Sequence, residues 1–380
     1  MQIEGYIEPG FAPAARAFAE LMQQPQQRGA ALCVQLHGQT VLDIWSGTVD
    51  RGGQQPWQQD TMVNIFSCGK PVLAALALQL VAEGLLQLDE PVASYWPQFA
   101  ANGKEQILVR HLLSHQSGLP AIAAPLPAEA LYDWRQMIAA LLAQSPWWPP
   151  GTAHGYAPMT YGWLLGELLQ QLTGTPLQQL LAERITGALG LELYFGVPEE
   201  LHGRISDTMR IKNAGGDEAA QRLLMAIMQP HGMVSQAFAN PPAVLTSSNK
   251  PQWRSLCQPA ATGHATARAL AGFYSALLDG RLLERHMLAQ MCSEQASGMD
   301  KTLLTTTRLG LGCMLEQADN QAASFCLGAG AFGHPGAGGS LGCANPELGL
   351  SMAFVTNSLD LYVLTDPRAQ ELNRQIMACL

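Results

Sequence analysis

Asn64-Ile65-Phe66-Ser67-Cys68-Gly69-Lys70 runs straight into Pro71 and a long apolar stretch, and these seven residues decide how the chain is read. If Ser67 opens a helix, Lys70 lies one turn on along the same face, with the two Cβ atoms about 5–6 Å apart. An amine at that distance reaches the hydroxyl and can take its proton. A serine at a helix N-terminus also has free backbone N–H groups and the positive end of a dipole beside it, which suits a developing oxyanion. Ser-x-x-Lys alone arises often by chance, so the rest of the chain has to support it.

Working outward, 380 residues exceed one average core, and one large or two closely packed domains are expected. Hydrophobic residues make up 48% and charged residues 13%, which excludes disordered and fibrous classes. The net charge is −9 and no Lys/Arg cluster with interleaved aromatics is found, which argues against a nucleic-acid partner. The apolar stretch after Lys70 is broken by Gln79, Glu83, Gly84 and Gln87, so it is too polar and too short for a membrane span. Neither a basic nor an apolar signal segment opens the chain. Eight cysteines without C-x-x-C pairs point to free thiols in a reducing, cytoplasmic setting.

Residues 30–37 and 40–45 flank Gly38-Gln39 and predict a β-hairpin, preceded by an amphipathic helix over 13–22. The far end is similar. Asn345-Pro346 marks a turn, 350–356 is strand-like, and 366–379 predicts a closing helix. Tyr161, Leu164, Leu165, Leu168, Leu169 and Leu172 predict a helix ended by Gly174, and a further helix is expected over 266–278. Both chain ends therefore build one antiparallel sheet flanked by helices, an α/β (α+β) arrangement. The expected division is 1–60 with 305–380 for the sheet domain and 61–304 for a mainly helical lobe. An active site would lie in the crevice between them.

Further patches carry chemistry. Tyr156 sits in the turn-rich run 149–158, where its phenol either projects into the crevice or is an ordinary half-buried tyrosine. Residues 328–342 are dense in glycine, which allows close backbone approach to a ligand. No phosphate-binding or dinucleotide pattern is present and no cofactor is expected. Gly338-Gly339-Ser340-Leu341-Gly342 matches the G-x-S-x-G nucleophile elbow, but a strand rather than a helix follows and no histidine comes after His334. His111 and His115 would share a helix face, yet Leu112 stands where a zinc protease has Glu and no third ligand stands out. No metal is expected, and these two read as structural histidines at a helix end. Trp134, Trp147 and Trp148 either line an apolar substrate pocket or cap hydrophobic surface between helices.

Together these segments resemble the serine hydrolases that share the fold of class C β-lactamases and penicillin-binding proteins, and within them the family VIII carboxylesterases. Ser67-Cys68-Gly69-Lys70 stands where that family keeps S-x-x-K, and residues 110–120, Arg-His-Leu-Leu-Ser-His-Gln-Ser-Gly-Leu-Pro, are similar to its HLLSHTSGL segment. Tyr156 matches the tyrosine motif, and His334-Pro335-Gly336 falls where β-lactamases have K-T-G. The resemblance implies a β-lactamase/transpeptidase-like fold and a serine carboxylesterase acting on small-molecule esters through an acyl-enzyme on Ser67. An acyltransferase or a β-lactamase or D-amino-acid peptidase-type hydrolase is the alternative on the same scaffold. It further implies Lys70 and Tyr156 as general base and acid, an oxyanion hole from the backbone N–H groups of Ser67 and Ala337, and His334 and Gly336 at the substrate. Lys70 would need its pKa lowered by roughly 2–4 units to serve. Tyr156 would act as a phenolate or through a hydrogen bond to Lys70. Two departures favour simple esters over β-lactams: Pro158 replaces the amide residue of Y-x-N, and His334 replaces the K-T-G lysine.

Overall fold

The computed structural model describes residues 2–212, 214, 216–242 and 247–380. A nine-stranded antiparallel sheet is built from both chain ends. Its strand order is Glu4–Ile7, Gln39–Gly47, Gly29–Leu36, Leu350–Thr356, Leu341–Asn345, Phe332–Pro335, Met314–Leu315, Thr306–Leu309 and Ala296–Met299. The hairpin expected around Gly38-Gln39 is present, and its Gly29–Leu36 arm pairs with Leu350–Thr356, Leu32 facing Phe354 and Val34 facing Met352.

Alternation along these strands feeds two cores, because successive side chains leave opposite faces. Ala30, Leu32, Val34, Met352 and Phe354 pack with Phe18, Leu21, Leu372 and Ile376 from the terminal helices Ala12–Met22 and Pro367–Met377. Ala31, Cys33, Ala353 and Val355 face the other way, against helix Ala267–Leu278 and the helical layer beyond it. Thr266 and Asp366 cap their helices through side-chain acceptors, which fixes where each begins. The sheet layer thus takes in Ala296–Met299 and the helix Ala267–Leu278, both of which precede residue 305.

Helix Lys70–Ala82 runs through the second of these cores with ten of its thirteen residues buried. A helix that is apolar all round belongs inside a protein of this size, and among the described residues no helix is long and apolar enough to cross a membrane. Helix Thr160–Thr173 packs against it and ends at Gly174 as expected. Inside the otherwise helical region, Val63–Asn64, Gly263–Ala265 and Leu193–Phe195 form a small sheet of their own. These strands are too short to leave a periodic signal. They nevertheless bring residues 260–263 beside the segment that leads into Ser67.

Candidate active site

Ser67 does not open the α-helix. It lies in a 3-10 turn, Phe66–Gly69, and the α-helix starts at Lys70. In such a turn residues three apart eclipse one another, and Lys70 Nζ comes to 3.0 Å from Ser67 Oγ. Phe66 enters the turn at φ 46°, an uncommon value for a bulky residue and of the kind that collects at functional sites. Asn64 holds the turn against its neighbours, donating to Ala261 O (2.8 Å) and Gly263 O (2.9 Å). Ser67 itself is half-buried and reachable, whereas Lys70 is fully buried.

Tyr156 reaches the same hydroxyl from the opposite side, its OH 2.7 Å from Ser67 Oγ. The Lys70 amine also contacts Pro158 O and Ala260 O, each at 3.1 Å. A neutral amine has two N–H bonds and one lone pair. The two carbonyls can accept N–H bonds only, so an ammonium would donate its third N–H to Ser67 Oγ, whereas the neutral amine turns its lone pair to the Ser67 proton. Burial drives Lys70 well below the ordinary lysine value, with the neighbouring Cys68 opposing weakly. Burial also raises the Tyr156 phenol above its ordinary value, against the opposing Ser67 hydrogen bond. The phenol bonds to Ser67 rather than to Lys70, and burial favours the uncharged form of both groups.

Strand Phe332–Pro335 ends against the nucleophile turn. Cys68 Sγ donates to His334 O at 3.1 Å, and a Cβ on Gly336 would fall 2.4 Å from Ile65 O. Only glycine allows that approach. Ala337 follows as an exposed residue, and no acceptor for its N–H or for that of Ser67 is found among the described residues. Behind it, Arg368 is paired with Asp366 and donates to Gly338 O and Ser358 O, each at 2.8 Å. The turn after Ala337 is thereby tied to the C-terminal helix.

His334 is buried with its ring centroid 5.7 Å from that of Tyr156. Its Nδ1 donates to Pro335 O at 2.7 Å. Burial and the nearby Lys70 lower its pKa to about 3, so it is neutral through the working pH range. Ser340, the decoy serine, is buried and followed by strand Leu341–Asn345. Trp134 packs on Gly166 and donates to Glu167, and Trp147 donates to Ala121 O. Trp148 alone of the three lies against Gly155, next to Tyr156.

His111 and His115 do not share a helix face, which corrects the expectation. Helix Val109–Leu113 stops short of His115, which takes φ 60°. His111 Nδ1 accepts from Leu108 N–H at 3.2 Å, a helix-end role. His115 instead enters the site, its ring 4.8 Å from that of Tyr156 and 5.0 Å from that of Tyr161. No residue pattern signals this, nor the role of Asp300, whose buried carboxylate accepts the Tyr156 backbone N–H at 3.0 Å. The sequence is equally silent on Pro158 O and Ala260 O, since a backbone acceptor has no residue-type signature.

The β-lactamase family model matches residues 14–374. The esterase/β-lactamase LipL of Mycobacterium tuberculosis is 32% identical over 96% of this chain and 85% of its own length. A solved family VIII carboxylesterase superposes with a TM-score of 0.90 at 31% identity, covering 100% of both chains. A penicillin-binding protein homologue from Caulobacter crescentus gives 0.90 at 34% identity, again over 100% of both. With the expected fold and the whole length matched, the chain belongs to the β-lactamase family.

Proposed function

We propose that this serine hydrolase is a carboxylesterase of the family VIII type, acting on short- to medium-chain esters through an acyl-enzyme on Ser67. The observation that carries the proposal is the convergence of an amine and a phenol on one accessible hydroxyl, Lys70 Nζ at 3.0 Å and Tyr156 OH at 2.7 Å. Lys70 takes the Ser67 proton as Oγ bonds to the acyl carbon, and the carbonyl electrons move onto oxygen. The N–H groups of Ser67 and Ala337 receive that oxyanion, one such donor being worth about 2.7–4 kcal/mol. Collapse expels the alkoxide, which takes the Tyr156 proton, and Tyr156 recovers a proton from Lys70. Water then repeats the sequence on the acyl-enzyme.

A neutral His334 and the amide-free Pro158 support an uncharged ester as substrate. A β-lactam carboxylate would find no cation at the His334 position. Gly336 serves by close packing, and His334 borders the leaving-group side. A cytoplasmic location belongs to the proposal, supported by eight free thiols.

Labelling with a fluorophosphonate probe, followed by peptide mass analysis, should place the adduct on Ser67. Ser67→Ala should lose both the adduct and the hydrolysis of p-nitrophenyl butyrate while keeping its thermal midpoint. Full turnover by that variant would end the proposal.

A further inference from the structure

The Tyr156 loop is held in an unusual way. Three successive backbone N–H groups each have an acceptor from outside the loop: Gly155 N–H on His115 O (3.0 Å), Tyr156 N–H on both Asp300 oxygens (3.0 Å each), and Ala157 N–H on His115 Nδ1 (3.1 Å). His115 thus straddles Tyr156, bonding to the residue on either side while its ring packs between Tyr156 and Tyr161. Its φ of 60° is what turns carbonyl and imidazole toward the same strip of backbone. Nδ1 accepts, so the proton of the neutral ring sits on Nε2.

Asp300 is equally committed. It has no exposed surface, and its carboxylate also accepts Thr302 N–H and Leu303 N–H at 2.8 Å each, with the Thr307 hydroxyl at 3.4 Å. His154, the residue before Gly155, joins the same cluster through Thr307 Oγ1 at 2.9 Å, and its carbonyl accepts Lys301 N–H at 3.1 Å. The turn between strands Ala296–Met299 and Thr306–Leu309 is therefore clamped to the tyrosine loop at two successive residues. His154 to Pro158 are buried, and buried N–H groups need acceptors in any fold. What is particular is that these come from two distant side chains and one carbonyl converging on a single residue. That residue is the one whose hydroxyl meets Ser67.

We infer that His115 and Asp300 are positioning residues for proton transfer, fixing the Tyr156 phenol so that it can protonate the leaving alkoxide. The inference rests on the esterase reading above and goes beyond it by assigning the geometry of the acid to two buried side chains. Hydrogen-bond distance is a narrow requirement for a proton donor, and a phenol at the end of a two-torsion side chain inherits any displacement of its own backbone.

Leaving-group dependence is the test. The p-nitrophenolate ion departs without a proton, whereas the alkoxide of an ethyl ester needs one. kcat/KM is measured for p-nitrophenyl butyrate and ethyl butyrate on the full chain with Asp300→Asn, His115→Phe, His115→Asn and Tyr156→Phe, each checked for folding by thermal melt. Asp300→Asn and His115→Phe should lose about tenfold or more on ethyl butyrate beyond their loss on the activated ester. His115→Asn keeps an acceptor for Ala157 N–H, in a residue type that tolerates positive φ, and should bring the ratio back toward wild type. Equal losses on both esters in folded Asp300→Asn or His115→Phe, while Tyr156→Phe is selective, would overturn the positioning role alone. A Tyr156→Phe variant that treats both esters alike would overturn the acid assignment and the positioning role together. Should Asp300→Asn fail to fold, the His115 pair decides the matter by itself.

Discussion

Lys70 and Lys104 are both without exposed surface, and the two sites put the same side chain to opposite uses. Lys104 donates to Leu142 O (2.7 Å) and Gln144 O (2.8 Å) at the end of helix Trp134–Ala143, where the dipole is negative and a cation is welcome. Lys70 is the first residue of helix Lys70–Ala82, its amine directed back toward the positive end. It too meets two carbonyls, but its third neighbour is a hydroxyl. Burial lowers both, yet only Lys70 falls well below the ordinary lysine range, whereas Glu105 helps Lys104 keep its proton. A buried amine is thus a helix cap or a base according to which end of a helix it meets and whether an acid proton lies opposite it.

The largest effect should separate the two lysines outright. Lys70→Met is expected to lower kcat/KM for p-nitrophenyl butyrate by about 10²–10⁴-fold or more, the span of general-base contributions. Lys104→Met should leave that rate within about twofold while losing about 1–3 kcal/mol of unfolding free energy, because it orphans buried carbonyls. Ester assays with denaturant melts on both variants measure the contrast, and a similar rate loss in each would erase it.

Linkage sharpens the same comparison. Because the folded pKa of Lys70 lies below its unfolded value of 10.5, the unfolded chain binds the extra proton between those two values. Stability contributed through this group therefore rises with pH across that window. Removing the amine in Lys70→Met should stabilise the protein most near neutrality, the gain shrinking as pH approaches 10.5. A constant difference from pH 7 to 10 in paired melts would mean that Lys70 folds with its charge.

A further contrast concerns a histidine whose neutral form is favoured by the same means. His264 is buried, its Nδ1 at 2.8 Å from Thr262 O, and burial lowers its pKa to about 3 from 6.5. Its stabilising contribution is complete above 6.5 and is lost as pH falls toward 3. Between those values His264→Gln should flatten the fall of unfolding free energy by about 1.4 kcal/mol per pH unit, one proton's worth. Parallel curves for variant and wild type in acid titrations would show that His264 does not carry this dependence.

The terminal elements were legible because each obeys a local rule. Alternation in 30–37 and 350–356 marks strands, the leucine spacing in 161–172 marks a helix, and Thr266 and Asp366 mark helix starts. The candidate site was legible where chemistry and spacing coincide, at Ser67 and Lys70. Tyr156 entered through its surrounding motif. The 3-10 turn at Ser67 was not legible, since it differs from an α-turn by one backbone hydrogen bond. Nor were the two- and three-residue strands that bring Ala260 to the site, being shorter than any period they could display.

The sequence by itself determined an apolar helix with a serine and a lysine at its approach, a sheet closed from both chain ends, and the residue types able to move a proton. Only the tertiary structure decided the direction of each pKa shift and the partners. Lys70 is driven well below the ordinary lysine value because the fold surrounds it with apolar core and two carbonyls rather than a carboxylate. Asp300 reaches Tyr156 from 144 positions away. Desolvation and long-range backbone hydrogen bonds depend on what packs where, and no local pattern of residues encodes that.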